Sequence, residues 1–432
     1  MKKNSLPRGL ILRTILILVI LTIAGLYESG AIPQVGGPTQ TPVILATSST
    51  TQTFTPRSAS TLTSTPALTP TIEVSRTPSS PEPPRGSSCS GSIAGNLVPP
   101  TATPPAGTPV SPTPSPSLTT TPTVQYDLTG LSARAGFGME PNGQSPEPWA
   151  AILKAGWYVN WSVEKRSPSQ LPELWQTIRV HKNCIFPSLE YIQWVAANYP
   201  GSVWIVGNEP DVIWQDNVEP EEYAHLYHDA YAAIKQADPT ARVAVGGISE
   251  GTPLRLEYLD RVLAEYQKKY GQKLPADWWT VHGYVLREQH NSWGVEIPPG
   301  FTVDHGMLWE VSDHGRLDLF EQDLIAFRQW MAKNGYRSTP LALTEFGILM
   351  PPEYGFPTDF VIQYLQDTFH WLQTAQDDTI GDPADNNLLV QRWAWFALDN
   401  KPYPSANLEE TKAGTLSAIG AAFLDYVKTY RP

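Results

Sequence analysis

The sequence predicts an α/β protein: a (β/α)8 TIM barrel preceded by a disordered Pro/Thr/Ser-rich linker and an N-terminal hydrophobic segment. Three observations predict it. Every one of the 15 tryptophans lies at or after Trp149. From there to the C-terminus, short apolar runs alternate with helical stripes, the pattern of repeated β/α units. Two of those runs end abruptly in a glutamate, at Gly207-Asn208-Glu209-Pro210 and at Thr344-Glu345-Phe346. In a β/α barrel the carboxyl ends of strands are where chemistry is kept.

Composition divides the 432-residue chain into three regions. Residues 1–32 carry Lys2, Lys3, Arg8 and Arg13 and then an apolar run over 15–27, interrupted by Thr22 and Gly25. Basic residues followed by such a run describe a signal peptide or an N-terminal membrane anchor, and either one exports the rest of the chain. Residues 33–125 hold 19 of the 42 prolines, one Phe and neither Trp nor Tyr. That stretch buries too little apolar surface to offset its chain entropy, so a disordered, proline-stiffened linker is expected. Folding is confined to residues 126–432. There 23 Lys+Arg stand against 39 Asp+Glu, a balance of −16 that makes the domain a poor partner for nucleic acid and anionic polymers and favours neutral or cationic ligands. Cys89 falls in the linker and Cys184 in the folded region. One cysteine per region makes neither a local disulfide framework nor a zinc site, so Cys184 is expected as a small buried apolar residue.

Eight strand candidates occur in order: 134–139, 157–162, 176–180, 203–208, 242–247, 278–285, 341–346 and 390–398. Between them run stripes of period 3.6, for example Tyr223, Leu226, Tyr227, Ala230 and Ile234, or Phe320, Leu324, Phe327 and Met331. These stripes are core. Glu209 then ends strand 4 and Glu345 ends strand 7. One connection is abnormal: residues 286–316, rich in aromatic residues, Gly and Pro, far exceed an ordinary β/α loop and are expected to wall a cleft.

Two carboxylates facing each other across a barrel mouth suit glycosidic bond cleavage, in which one protonates the leaving oxygen and the other attacks or stabilises the anomeric carbon. On this reading Glu209 is the acid/base and Glu345 the nucleophile. Asn208 is placed to donate to a sugar hydroxyl, and Tyr284 to hydrogen-bond Glu345 and hold it ionised. His282 reads equally as a site residue or as a buried, hydrogen-bonded histidine. Aromatic residues crowd strands 2 and 8, and sugar rings stack on indoles, so Asn160, Trp161 and Trp395 are expected at the mouth. Gly246-Gly247 reads as a close-packing pair. No His/Asp/Glu cluster has metal-ligand spacing and no Gly-rich loop could cradle phosphate, so neither a metal nor a cofactor is expected.

The Asn208-Glu209-Pro210 and Thr344-Glu345-Phe346 motifs resemble those of the clan A glycoside hydrolases, whose acid/base and nucleophile close strands 4 and 7. The stretch Trp157-Tyr158-Val159-Asn160-Trp161 together with Gly207 to Asp211 further resembles the glycosyl hydrolase catalytic core group related to endo-β-1,3-glucanases. The likeness covers roughly residues 133–426. It implies a retaining β-glycosidase with β-glucan the implied polymer; the N-terminal segment adds export, and the acidic balance a neutral polysaccharide. The chain departs from the clan pattern in lacking a strand-2 arginine, for which Arg179 on strand 3 is the substitute, and in its long strand-6 loop. A catalytically silent carbohydrate-binding surface protein is the alternative, and a display spacer a weaker one. The N-terminal segment, if uncleaved, makes the membrane a further partner.

Overall fold

The computed structural model describes residues 82–83, 85–89, 130–410 and 414–430. The N-terminal segment and nearly all of the linker fall outside the described residues. Among those described, no helix is long and apolar enough to cross a membrane.

Eight strands form the expected barrel: β1 (Ala135–Gly138), β2 (Trp157–Val159), β3 (Glu173–His181), β4 (Val203–Asn208), β5 (Arg242–Ile248), β6 (Trp278–Gly283), β7 (Leu341–Phe346) and β8 (Arg392–Trp395). Neighbours run parallel in the order β3-β2-β1-β8-β7-β6-β5-β4, and β3 also pairs with β4, which closes the sheet. The surrounding helices are α1 (Pro146–Leu153), α2 (Leu189–Asn198), α3 (Pro220–Ala237), α4 (Pro253–Tyr270), α5 (Leu317–Lys333), α6 (Thr358–Thr374) and α7 (Ala418–Thr429). The expected alternation fails once, between β2 and β3, where residues 160–172 make no helix. Pro168 and Pro172 deny that stretch a backbone ladder. Arg166 fills the place instead: it is nearly buried, donates to Pro172 O (3.0 Å) and Glu147 (2.7 Å), and lies over the Tyr158 ring.

Side chains alternate in and out along each strand. On β4, Trp204 and Val206 face the helices, while Val203 and Ile205 face the barrel interior. Interior tryptophans close the N-terminal end of the barrel: Trp157 and Trp175 lie 4.7 Å apart, and Trp175 and Trp278 4.9 Å. Below them Glu173 pairs with Arg242 (2.7 Å) and Arg392 (2.6 Å). The barrel is therefore packed solid at that end, which leaves the carboxyl ends of the strands as the mouth.

Two β-bulges shape that mouth. Strand β7 carries one residue more than both of its neighbours around Thr344-Glu345. Strict alternation from Ala342, which points inward, would turn Glu345 outward; the extra residue turns it in again. Strand β5 carries its extra residue at Gly246-Gly247. A Cβ on Gly246 would meet Val206 O at 2.4 Å, and one on Gly247 the His282 ring at 2.8 Å, so this pair does serve close packing.

The cysteine expectation is corrected. Cys184 is bonded to Cys89, and it is half-buried rather than buried. Ser88–Cys89 forms a short strand antiparallel to Cys184–Phe186, which itself folds back on the end of β3. Glu82 reaches Lys165 (2.9 Å), Arg85 reaches Tyr191 Oη (3.0 Å), and Ser88 Oγ accepts from Leu189 N (2.9 Å). Elimination by region failed because a covalent partner can be distant: 95 residues separate the two cysteines.

The long connection from β6 to α5 spans residues 284–316. Its anchor is Arg255 of α4, which is wholly buried. The guanidinium donates to Asp211 Oδ2 (2.7 Å), to Glu288 Oε1 (3.0 Å) and to the carbonyls of Val295 (3.2 Å) and Glu296 (2.7 Å). His314 adds a second tie, from Val285 O (3.1 Å) to Leu349 N (2.9 Å), and burial pulls its pKa down to about 4, so it serves as a neutral bridge.

Candidate active site

The ends of β4, β6 and β7 bring three titratable side chains together. Glu209 follows β4 with φ +48°, a left-handed conformation that costs a non-glycine residue roughly 1–2 kcal/mol. The turn is held by Glu209 N donating to Gly247 O (2.9 Å) and by Asp216, whose carboxylate accepts from Asn208 N (2.7 Å) and Val180 N (3.0 Å). Pro210 then stops the strand. His282, on β6, sits between the two glutamates: its Nδ1 donates to Glu209 Oε1 at 2.8 Å and its Nε2 lies 3.6 Å from Glu345 Oε1. Carboxylate oxygens of Glu209 and Glu345 approach within 4.8 Å of each other. All three residues are buried.

Glu345 takes two further hydrogen bonds, from Trp161 Nε1 to Oε1 (2.6 Å) and from Tyr284 Oη to Oε2 (3.1 Å). Burial is the largest influence on its pKa and raises it. The His282 charge lowers it, the Glu209 charge raises it, and the two donors lower it; the net shift is upward. Tyr284 thus contacts Glu345 as expected and favours the ionised form as expected, but burial outweighs it. Burial also opposes a charge on His282, yet Glu345 and Glu209 overcome it and leave the imidazole pKa above its ordinary range. Both shifts run upward, so the histidine and the two acids titrate as one coupled cluster.

Glu209, His282 and Glu345 each offer one ligand-type atom in reach of a divalent cation. The donor set argues for proton sharing instead. Both imidazole nitrogens already face carboxylates, which leaves neither lone pair turned toward a metal.

The remaining expected residues separate. Asn208, Trp161 and Glu345 line one small depression with Val159, Thr177, Ile205 and Thr344. Trp161 adopts φ +54°, which turns its indole across the mouth. Asn160 is buried, but its amide oxygen accepts from Ser162 N (3.3 Å) and Ser162 Oγ (3.1 Å), closing the turn after β2 outside that lining. Trp395 is a correction. It points away from the mouth, packs on Phe346 and Phe369, and donates Nε1 to Ala406 O (2.8 Å). Strand parity decides this, because Ala394 faces inward and the next inward residue is Phe396. The Phe396 ring lies 5.7 Å from Trp161 and 6.2 Å from Tyr284. Arg179 is a second correction: it pairs with Asp216 (2.6 Å) and Gln215 (3.2 Å) on the rim and makes no bond to Glu345.

Sequence reasoning missed Phe396; Trp293, in the long loop expected to wall a cleft, packs with it and with Tyr284, Leu286 and Val295 at the mouth. It also missed Arg255, whose signal was an arginine inside an otherwise apolar helical stripe, between Thr252 and Tyr258.

No family model matches the sequence, and no curated protein matches it. Among solved structures the chain is similar to a GH128 subgroup II endo-β-1,3-glucanase from Sorangium cellulosum, at 17% identity and a TM-score of 0.45 over 69% of this chain and 98% of that one. It is similar to the subgroup II enzyme from Pseudomonas viridiflava, at 17% identity and a TM-score of 0.46 over 68% and 97%. It is also similar to a subgroup I enzyme from Amycolatopsis mediterranei in complex with laminaritriose, at 16% identity and a TM-score of 0.44 over 68% and 99%.

Proposed function

We propose that this protein is an exported retaining β-glycosidase acting on a neutral polysaccharide. The observation that carries this reading is the buried glutamate pair, with carboxylate oxygens within 4.8 Å of one another across the mouth. Retaining enzymes hold their carboxyl groups about 5–5.5 Å apart, whereas inverting ones need about 6.5–9.5 Å to admit a water. The spacing supports a double displacement.

In the first step Glu345 attacks the anomeric carbon as its bond to the glycosidic oxygen breaks, and Glu209 delivers a proton to that oxygen. In the second, water attacks the glycosyl–Glu345 ester, Glu209 takes its proton, and the Glu345 carboxylate leaves. Trp161 and Tyr284 hold Glu345 aimed and accept its returning charge. His282 keeps Glu209 oriented and shares the proton between turnovers. Asn208 is placed to donate to a sugar hydroxyl beside Glu345. The chemistry needs no cofactor.

The acidic folded region favours a neutral polymer, and the sequence resemblance points to β-glucan. Export is supported by the Cys89–Cys184 bond, which belongs to oxidising compartments. The experiment uses the full-length chain on β-1,3-glucan, mixed-linkage β-glucan, xylan, mannan and chitin, with reducing ends as readout. Turnover that Glu345→Gln and Glu209→Gln each abolish is the expected result; turnover that survives both substitutions overturns the reading. Glycan binding with no turnover on any polymer would favour the silent binder.

A further inference from the structure

We infer a second glycan-contact site on the rim beside the mouth, built from Trp214, Arg179, Gln215 and Phe186, that stacks a pyranose ring of the polymer outside the catalytic pocket. The inference rests on the glycosidase reading for the identity of its ligand, though not for its geometry.

Of the 15 tryptophans, all within the described residues, Trp214 alone is exposed, at 50%. An indole left in water contributes nothing to the core, so its exposure needs a reason. Its loop is not loose. Val212 N donates to Glu209 O (3.1 Å), Gln215 N to Val212 O (3.0 Å) and Val218 N to Pro210 O (2.8 Å). On one side of Trp214, Val212 packs into the apolar cluster of the mouth with Tyr284 and Phe396. On the other, the buried Asp216 carboxylate binds Val180 N, Asn208 N and Arg179 Nε. The indole is thus held between two fixed points, one of them continuous with the catalytic cleft.

The neighbouring surface comes from the β3 hairpin, which rises from the same carboxyl-end face. Arg179 stands directly opposite Phe186 across that hairpin, and opposed residues share a face. Phe186 is 41% exposed. Arg179 donates Nη2 to Gln215 Oε1 (3.2 Å), which joins the hairpin to the Trp214 loop. The Cys89–Cys184 bond braces the hairpin beside Phe186. Trp214 and Phe186 thus flank, one by sequence and one by register, the bonded Arg179–Gln215 pair, which brings guanidinium and amide donors. Such a surface fits a sugar, whose C–H faces stack on rings and whose equatorial hydroxyls accept from N–H groups. A preformed platform binds without a large ordering cost.

The test compares full-length parent, Trp214→Ala and Phe186→Ala. Kinetics are run on a soluble β-1,3-glucan and on its trisaccharide, and migration is followed in native gels containing the same glucan. Trp214→Ala is expected to raise KM for the polymer about tenfold, the loss of one good stacking contact, with kcat and trisaccharide hydrolysis unchanged. Phe186→Ala is expected to raise it about threefold. Glu345→Gln should migrate as slowly in the glucan gel as the parent, and Glu345→Gln/Trp214→Ala faster. Equal KM and equal gel migration for parent and Trp214→Ala overturn the inference. So does a concentration-dependent dimer that Trp214→Ala abolishes while migration in glucan stays the same, because the surface would then seat a second copy of the chain. Gel retardation that depends on Trp214, in a protein whose turnover survives Glu345→Gln, would keep this site and sink the proposed catalytic pair.

Discussion

Replacing Tyr284 by Phe removes one oxygen, and with it the 3.1 Å hydrogen bond to Glu345 Oε2. The ring keeps its edge-on contacts with His282 and Phe396, so the substitution leaves the mouth filled. A hydrogen bond to a buried charge contributes about 1.5–3 kcal/mol, and one pKa unit corresponds to about 1.36 kcal/mol, so the ionised form of Glu345 loses about one to two units of preference. The bond from Trp161 at 2.6 Å remains and moderates the change, which places the expectation near one unit. Glu345 must be ionised to attack, so activity rises with pH through its pKa. That pKa is already raised by burial. The acid limb of kcat/KM in Tyr284→Phe should therefore move about one unit to higher pH. Trp161→Phe should move it in the same direction. The assay is a pH–rate profile on the best polymer of the panel, with circular dichroism as a check on folding. A limb that stays in place, or moves to lower pH, in a folded protein refutes the assignment of Glu345 as the group that must lose its proton.

The same contacts lead to three more outcomes. Asp323, buried with one oxygen lacking a partner, has its pKa raised to about 7 by burial and the Glu288 charge. A raised carboxyl pKa stabilises the fold at low pH, and the contribution is lost between about pH 4 and 7, amounting to at most roughly 4 kcal/mol. Urea titrations of Asp323→Asn should lack that fall. Arg255→Met leaves Asp211 and Glu288 buried without their cation and should lower unfolding stability by about 3–5 kcal/mol; a loss under about 1 kcal/mol would mean the network does not hold the long loop. Dialysis against EDTA should leave turnover unchanged, and activity restored only by an added divalent cation would reassign Glu209, His282 and Glu345 as ligands.

The barrel was legible because burial writes itself in period: runs such as Val203–Asn208 and Leu341–Phe346 are apolar strands wherever they fall. Glu209 and Glu345 were legible for a related reason, since a charge closing such a run has few structural uses. What periodicity leaves open is phase. Nothing in Trp393-Ala394-Trp395-Phe396 says which residues face inward, and Trp395 and Phe396 exchanged roles accordingly. The bulge at Thr344-Glu345 is equally silent, though it is what turns Glu345 into the mouth. Contacts distant in sequence were invisible for another reason. Cys89 with Cys184, and Arg255 with Asp211 and Glu288, are pairings that only the folded chain brings together. The missing helix between β2 and β3 could have been read from Pro168 and Pro172.

The central claim is that Glu345 bonds to the anomeric carbon. A 2-deoxy-2-fluoro glycoside of the cleaved sugar, with a good leaving group, slows the second step enough for the intermediate to accumulate. Intact-mass and peptide spectrometry on the inactivated protein then locates the sugar. The account predicts one glycosyl unit on the peptide bearing Glu345, and none in Glu345→Gln. An adduct on another residue, or an active enzyme that never forms one and releases product of inverted configuration, would contradict it.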